Sequence, residues 1–332
     1  MAAASPDDTF NHARFSGQRG GFYESYFLRA NHPTRPLAFW IRYTLFSPRG
    51  APEAAIGELW GVVFDGATHH TLKAEHPWSA CSFAADAFAV HVADARLGPG
   101  LAHGAIDHKG RKLTWDLRFN GAEAPLFLLP KRAYAARFPA AKALVSLPLA
   151  RFQGHIEIDG ARIAIDDWVG SQNHNWGTRH TDHYAWGQVA GFDGRPDAFL
   201  EVATARLKLG PFWTPPFTPI VLRAGGREYA LNSNAQALAA RGRSRYFAWT
   251  FSSAARDAAI EGEIWAEREA FTALAYKNPA GGTKTCLNTK LAACRLTLRD
   301  TATGAVEKFE TKDRAAFEIL TDDSAHGLAI EA

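Results

Sequence analysis

The chain has 332 residues, 47% hydrophobic and 21% charged, a globular balance with room for two sizeable cores. A net charge of +3, with basic residues scattered and the densest run being RGRSR at 241–245, argues against nucleic-acid binding. Cys81, Cys286 and Cys294 are odd in number and lack CxxC spacing, which argues against a disulfide framework or structural zinc and leaves unpaired core thiols as the expectation. The start MAAASPDDTF has no basic or apolar signal region, and no stretch approaches the roughly 18 apolar residues of a membrane span, so the reading is a soluble, cytoplasmic protein.

Aromatic residues are numerous, with 10 Trp, 8 Tyr and 22 Phe, and large rings favour half-buried strands and apolar ligand cavities. In LAFWIRYTL, Leu37, Phe39, Ile41, Tyr43 and Leu45 share one face while Arg42 and Thr44 take the other. LTWDLRF repeats the pattern with Leu113, Trp115, Leu117 and Phe119. KRAYAARFPAAKAL at 131–144 predicts a short helix broken near Pro139. SNAQALAA at 233–240 predicts a turn or two of helix. CRLTLR then alternates again through Cys294, Leu296 and Leu298. Gly, Pro, Asn and Asp turn signals recur every 8–15 residues or so, as an antiparallel sandwich or barrel requires. The fold class is therefore all-β, mainly antiparallel, with few short helices.

A loose duplication is visible. LTWDLRFNGAEAPLFL resembles FAWTFSSAARDAAIEG, and GGFYESYFLRA resembles DHYAWGQVAGF. Two β units of about 150 residues would meet near residue 180.

That boundary falls within SQNHNWGTRHTDHYAWG, residues 171–187. A metal reading would use His174, His180, Asp182 and His183. On a strand, however, His180 and His183 point to opposite faces, and zinc needs three or four convergent ligands. An acid–base reading uses His174 and Trp176, which share a strand face. An imidazole desolvated against an indole can move a proton, and the indole can stabilise a carbocation. A structural reading has His174, Asn175 and Arg179 satisfying backbone groups at a junction plugged by Trp176. Residue chemistry leaves all three open.

ESYFLRANHPTRPLAFWIRYTLFSP, GELWGVVFD, GHIEIDG and SQNHNWGTRHTDHYAWGQVAGF together resemble the AttH-like proteins. These are related to carotenoid 1,2-hydratase (hydroxyneurosporene synthase) and, more distantly, to tocopherol cyclase. The resemblance spans about 20–330 and implies tandem lipocalin-like (calycin) β-barrels packed together. The implied division is an N-terminal tail at 1–19, a first barrel at 20–180 and a second at 181–332. The resemblance also implies a bulky hydrophobic ligand in a barrel cavity, such as an isoprenoid, carotenoid or polyketide-like molecule, and hydration, cyclisation or isomerisation without a redox cofactor.

The hydratases' His-x-Trp pair corresponds to His174 and Trp176. Their later Tyr-x-Asp has its nearest counterpart in Phe199 and Glu201, and loss of the tyrosine puts carotenoid hydration itself in doubt. Glu201 in an apolar cavity could serve as an acid. Glu24 and Tyr26, on one strand face, are candidate cavity-lining groups, and Trp186 a candidate wall. TPPFTP at 214–219 is expected to cross the mouth of the second barrel, with Trp213 as a lid residue. No metal, cofactor or nucleic acid is expected, and peripheral membrane contact is compatible with a lipophilic ligand. The competing reading is a non-catalytic carrier, with a metal hydrolase last. Catalysis would require His174 and Glu201 to line one cavity; a carrier would have neither facing it.

Overall fold

A computed structural model describes residues 8–332. The chain forms two large antiparallel sheets, one of twelve strands and one of ten, with a separate two-stranded ribbon. All strands of the twelve-stranded sheet lie between Phe22 and Gly177, and all those of the ten-stranded sheet between His183 and Thr321. Each sheet curls around its own apolar core, giving two barrel-like units in tandem. The first core centres on Tyr43, Trp115, Phe152 and Trp168, and the second on Trp249, Phe251, Phe309 and Phe317.

The two sheets share a connectivity. The opening strand Phe22–Asn31 pairs on one side with Leu37–Ser47 and on the other with the closing strand Ala161–Gly177. In the second sheet His183–Phe192 pairs likewise with Arg195–Arg206 and with the closing strand Val306–Thr321. Each closing strand pairs with an 18-residue neighbour, Ala141–Ile158 or Thr283–Asp300. Both long strands carry two or more register shifts. Such bulges bend a strand, so one element can serve the contact between barrels at one end and its own barrel at the other. The likeness of GGFYESYFLRA to DHYAWGQVAGF thus joins equivalent strands. LTWDLRF instead corresponds by topology to Ala258–Trp265, one strand beyond the Trp249 strand that its sequence resembles.

Alternation predicts these strands well. Leu113, Trp115, Leu117 and Phe119 are buried, as are Cys294, Leu296 and Leu298. The expected helix at 131–144 shrinks to Arg132–Ala135, because the chain from Ala141 joins the long bulged strand. A capped helix does form at Asn234–Ala239, with Ser233 and Gln236 making a reciprocal capping box. Cys81, Cys286 and Cys294 are all free thiols. Among the described residues no helix is long and apolar enough to cross a membrane.

The barrels meet through the outer faces of their opening and closing strands. One apolar patch combines Phe27, Trp40, Trp60 and Phe64 with Trp186, Tyr276 and Leu291. Another joins Leu126 and Val145 to Ala190, Phe199 and Val221. Backbones approach closely near this seam: a Cβ on Gly170 would lie 1.7 Å from the Arg29 carbonyl oxygen, so only glycine fits there.

Candidate active site between the barrels

An apolar cavity of about 730 Å³ lies between the two barrels, within the range of small-molecule sites. Large side chains pack the interior of each barrel, and the apolar space opens instead where the two curved sheets meet. Phe27, Trp40, Trp186 and Phe217 supply apolar wall. The segments 128–139 and 214–219 frame it, with Phe138 and Leu238 among the exposed large apolar residues.

Polar groups converge on this wall. Glu318 stands on the closing strand of the second barrel, and its Oε1 accepts hydrogen bonds from Lys290 Nζ at 2.8 Å and Asn288 Nδ2 at 3.1 Å. Its Oε2 has only the longer contacts of Tyr184 Oη at 3.4 Å and Cys286 Sγ at 3.7 Å. Lys290 is fully buried between the rings of Trp40 and Trp186, 5.5 and 5.6 Å from their centroids. Burial lowers the proton affinity of this ammonium group, while the adjacent Glu318 charge opposes the shift. His180 also lines the cavity, stacked on Tyr23 at 4.0 Å. Burial, then the Arg42 charge, depress its pKa to about 3, so the ring stays neutral at physiological pH.

Behind Trp186 lies a second buried network. Glu201 accepts from Trp186 Nε1 at 2.7 Å and Gln188 Nε2 at 2.9 Å. Burial pushes its pKa up to about 8 against these hydrogen bonds and the Arg29 charge. Gln188 also bonds Asn173 at 2.9 Å, while Arg29 donates to the Gln188 side chain at 2.8 Å. These residues tie the barrels together through a chain of satisfied polar groups.

No protein-family model matches the sequence. The chain is 24% identical over 299 residues to uncharacterized protein Rv0493c of Mycobacterium tuberculosis (strain ATCC 25618 / H37Rv), covering 89% of this chain and 87% of that one. The AttH-type protein NE1406 from Nitrosomonas europaea superposes with a TM-score of 0.57 and 13% identity, covering 97% of both chains. Kievitone hydratase from Nectria haematococca gives 0.55 at 10% identity, covering 91% of this chain and 89% of its own. CghA, crystallised with Sch210972, gives 0.57 at 10% identity with the same coverages.

The chain shares the AttH-like fold.

Within this AttH-like frame the residues singled out from sequence separate. His174 and Trp176 do share a strand face, but that face turns away from the cavity, under the segment that begins at Asp8. His174 Nδ1 donates to the Phe10 carbonyl at 2.7 Å, and Nε2 meets Glu24 Oε1 at 2.8 Å. Glu24 also accepts the backbone N–H groups of Arg14 and Phe15, at 2.8 and 3.1 Å. Tyr26 stacks on His174 at 4.1 Å and donates to the Asn11 carbonyl at 2.9 Å. Trp176 packs with Phe22, Leu45 and Leu144 beneath Arg14. His174, Glu24, Tyr26 and Trp176 therefore bind the N-terminal segment to the first barrel, and none of them lines the cavity.

Of the remaining candidates, Trp186 lines the cavity and Glu201 stands one hydrogen bond behind it. Phe199 packs in the neighbouring apolar patch instead. Trp213 sits 41% exposed on the ribbon of Lys208–Leu209 and Phe212–Trp213, outside the wall, although the adjacent Thr214, Pro215 and Phe217 belong to it. His174 and Glu201 do not face one cavity. Among the described residues no cluster of three or more His, Cys, Asp or Glu side chains is placed to hold a metal. Asp182 instead accepts the Lys208 backbone N–H at 2.9 Å.

Sequence reading missed Arg42, Lys290 and Glu318 as site residues. The available signal was a lone charge inside an apolar run: FWIRYTL, TKLAAC and AAFEIL each enclose one charge that a solvated strand would not need.

Proposed function

We propose that the protein binds a bulky hydrophobic small molecule between its barrels and performs cofactor-free acid–base chemistry on it: hydration, cyclisation or isomerisation. The observation that carries this reading is the convergence of Glu318, Tyr184, His180 and Arg42 on one apolar cavity of about 730 Å³. A fixed, partly desolvated carboxylate is suited to taking a proton from a substrate carbon or an attacking water and returning it elsewhere. Lys290 and Asn288 hold Oε1 of Glu318, leaving Oε2 as the proton acceptor. Trp40 and Trp186 would shield developing positive charge. That one protein of this fold is named a hydratase supports hydration among the outcomes.

The carrier reading meets the condition set for it, since neither His174 nor Glu201 lines the cavity, and the catalytic reading therefore rests on Glu318 instead. The two readings part on a single variant. Native mass spectrometry of the purified protein identifies a copurifying lipophile, which is then incubated with wild type and Glu318→Gln. We expect the variant to lose at least about a hundredfold in turnover, the range of a removed general base, while ligand binding stays within about threefold. Lipophile recovered unchanged from wild type, or unimpaired turnover by the variant, would overturn the assignment and leave a carrier.

A further inference from the structure

Two donor-only groups in the cavity wall have no acceptor among the described residues. Arg42 and Trp40 project from the same face of Leu37–Ser47, two residues apart, and both line the cavity. Arg42 is only 7% exposed, yet its buried Nε meets no acceptor; nor does the buried indole Nε1 of Trp40. Neither side chain can relieve this by accepting a hydrogen bond, since guanidinium and indole N–H groups only donate. Leaving such a donor unpaired is costly, because its water partners are lost without replacement.

The neighbouring acids form no ion pair with Arg42. The charges of Glu58 and Glu318 reach Arg42, but neither carboxylate comes within ion-pair distance of it. Glu58 pairs with Lys73 at 2.9 Å and Glu318 with Lys290 at 2.8 Å. The Arg42 guanidinium instead lies over the Tyr276 ring, 4.6 Å from its centroid. Stacking of this kind uses the face of the planar group and leaves its edge N–H donors free for a planar partner. Arg132 and Lys142 add positive charge to the same wall, against Glu318 alone among the acids lining it.

We propose that Arg42, assisted by Trp40, anchors the carboxylate of an amphipathic ligand whose apolar body fills the cavity. The inference rests on the interbarrel binding reading and narrows its ligand class from any lipophile to an apolar acid. A bidentate pair between guanidinium and carboxylate would satisfy the free donors and fix the ligand's end, presenting its body to Glu318 and Tyr184. An alcohol of the same shape would present a single oxygen to the planar fork in place of two and would bring no charge.

Retinoate and retinol make a matched probe pair, since both quench tryptophan fluorescence and they differ only at the polar end. We expect wild type to bind retinoate at least tenfold more tightly than retinol. Arg42→Met should bring the two probes within twofold of each other by weakening retinoate alone. Arg42→Lys, which keeps the charge and guards against a packing defect, should retain part of the preference. Equal affinity of wild type for both probes, or a preference surviving in Arg42→Met, would overturn the anchor while leaving the binding cavity standing. Failure of wild type to bind either probe would overturn the cavity reading and the anchor together.

Discussion

Glu201 and His180 hold their proton equilibria far from those of an unfolded chain, in opposite directions. Glu201 is raised from 4.5 to about 8, chiefly by burial. Below pH 4.5 the folded and unfolded chains both carry its proton. As pH climbs towards 8 the unfolded chain releases a proton that the folded one keeps, so this group's contribution to stability falls. His180 is lowered from 6.5 to about 3, again first by burial. Between those values the unfolded chain takes up a proton that the folded ring refuses, so stability rises with pH. From pH 5 to 7 the two slopes largely cancel in wild type. Glu201→Gln should uncover the His180 slope, a gain of about 2 kcal/mol between pH 5 and 7 relative to wild type, read from urea midpoints. An unchanged profile in that variant would refute the opposition. The sequence reading allowed Glu201 an acid role in apolar surroundings, but FLE could not reveal those surroundings, which come from Trp186, Gln188 and Arg29, the last on the other barrel.

Strands explain both the success and the failure of the sequence reading. Period-two alternation needs only one buried face to be visible, and it located the strands around Tyr43, Trp115 and Leu296. Ala161–Gly177 defeats it at the critical end, where Ser171, Gln172, Asn173 and His174 are all buried. Ser171 and Asn173 bond Gln188 of the second barrel, whereas Gln172 and His174 meet the N-terminal segment. Alternation correctly put His174 with Trp176 on one face; which partner each face receives is decided by segments remote in sequence. The segment starting at Asp8 is therefore an element whose docking depends on His174. Replacing His174 with Ala would remove one of the hydrogen bonds that hold the buried Glu24 carboxylate, together with the bond to the Phe10 carbonyl, and cost about 2 kcal/mol. We expect a lower melting temperature and faster tryptic cleavage at Arg14, with turnover per folded molecule preserved. Selective loss of turnover at unchanged stability would return His174 to catalysis.

At the scale of the whole molecule the seam is too apolar and too interlocked for either barrel to stand alone. Separation would expose Trp40, Trp60, Trp186 and Leu291 and leave Arg29 without Gln188. It would also break the Arg223 contacts with the Ala124 and Pro125 carbonyls and the Asn31 bond to the Lys290 carbonyl. Residues 8–180 and 181–332 expressed separately should aggregate or remain unfolded, and recover near-native circular dichroism only when refolded together. Two independently melting, monomeric halves would contradict this account. The duplication in the sequence pointed to two units, but the polar seam was invisible because its partners lie up to 285 residues apart, as Arg29 does from Arg314.

The crossing from Gly177 to His183 is the covalent tether between the two units. His180 and Thr181 of that crossing line the cavity, so the covalent tether is itself part of the cavity wall. Lengthening it by one residue would slide His180 along Tyr23 and reshape the cavity without touching either barrel.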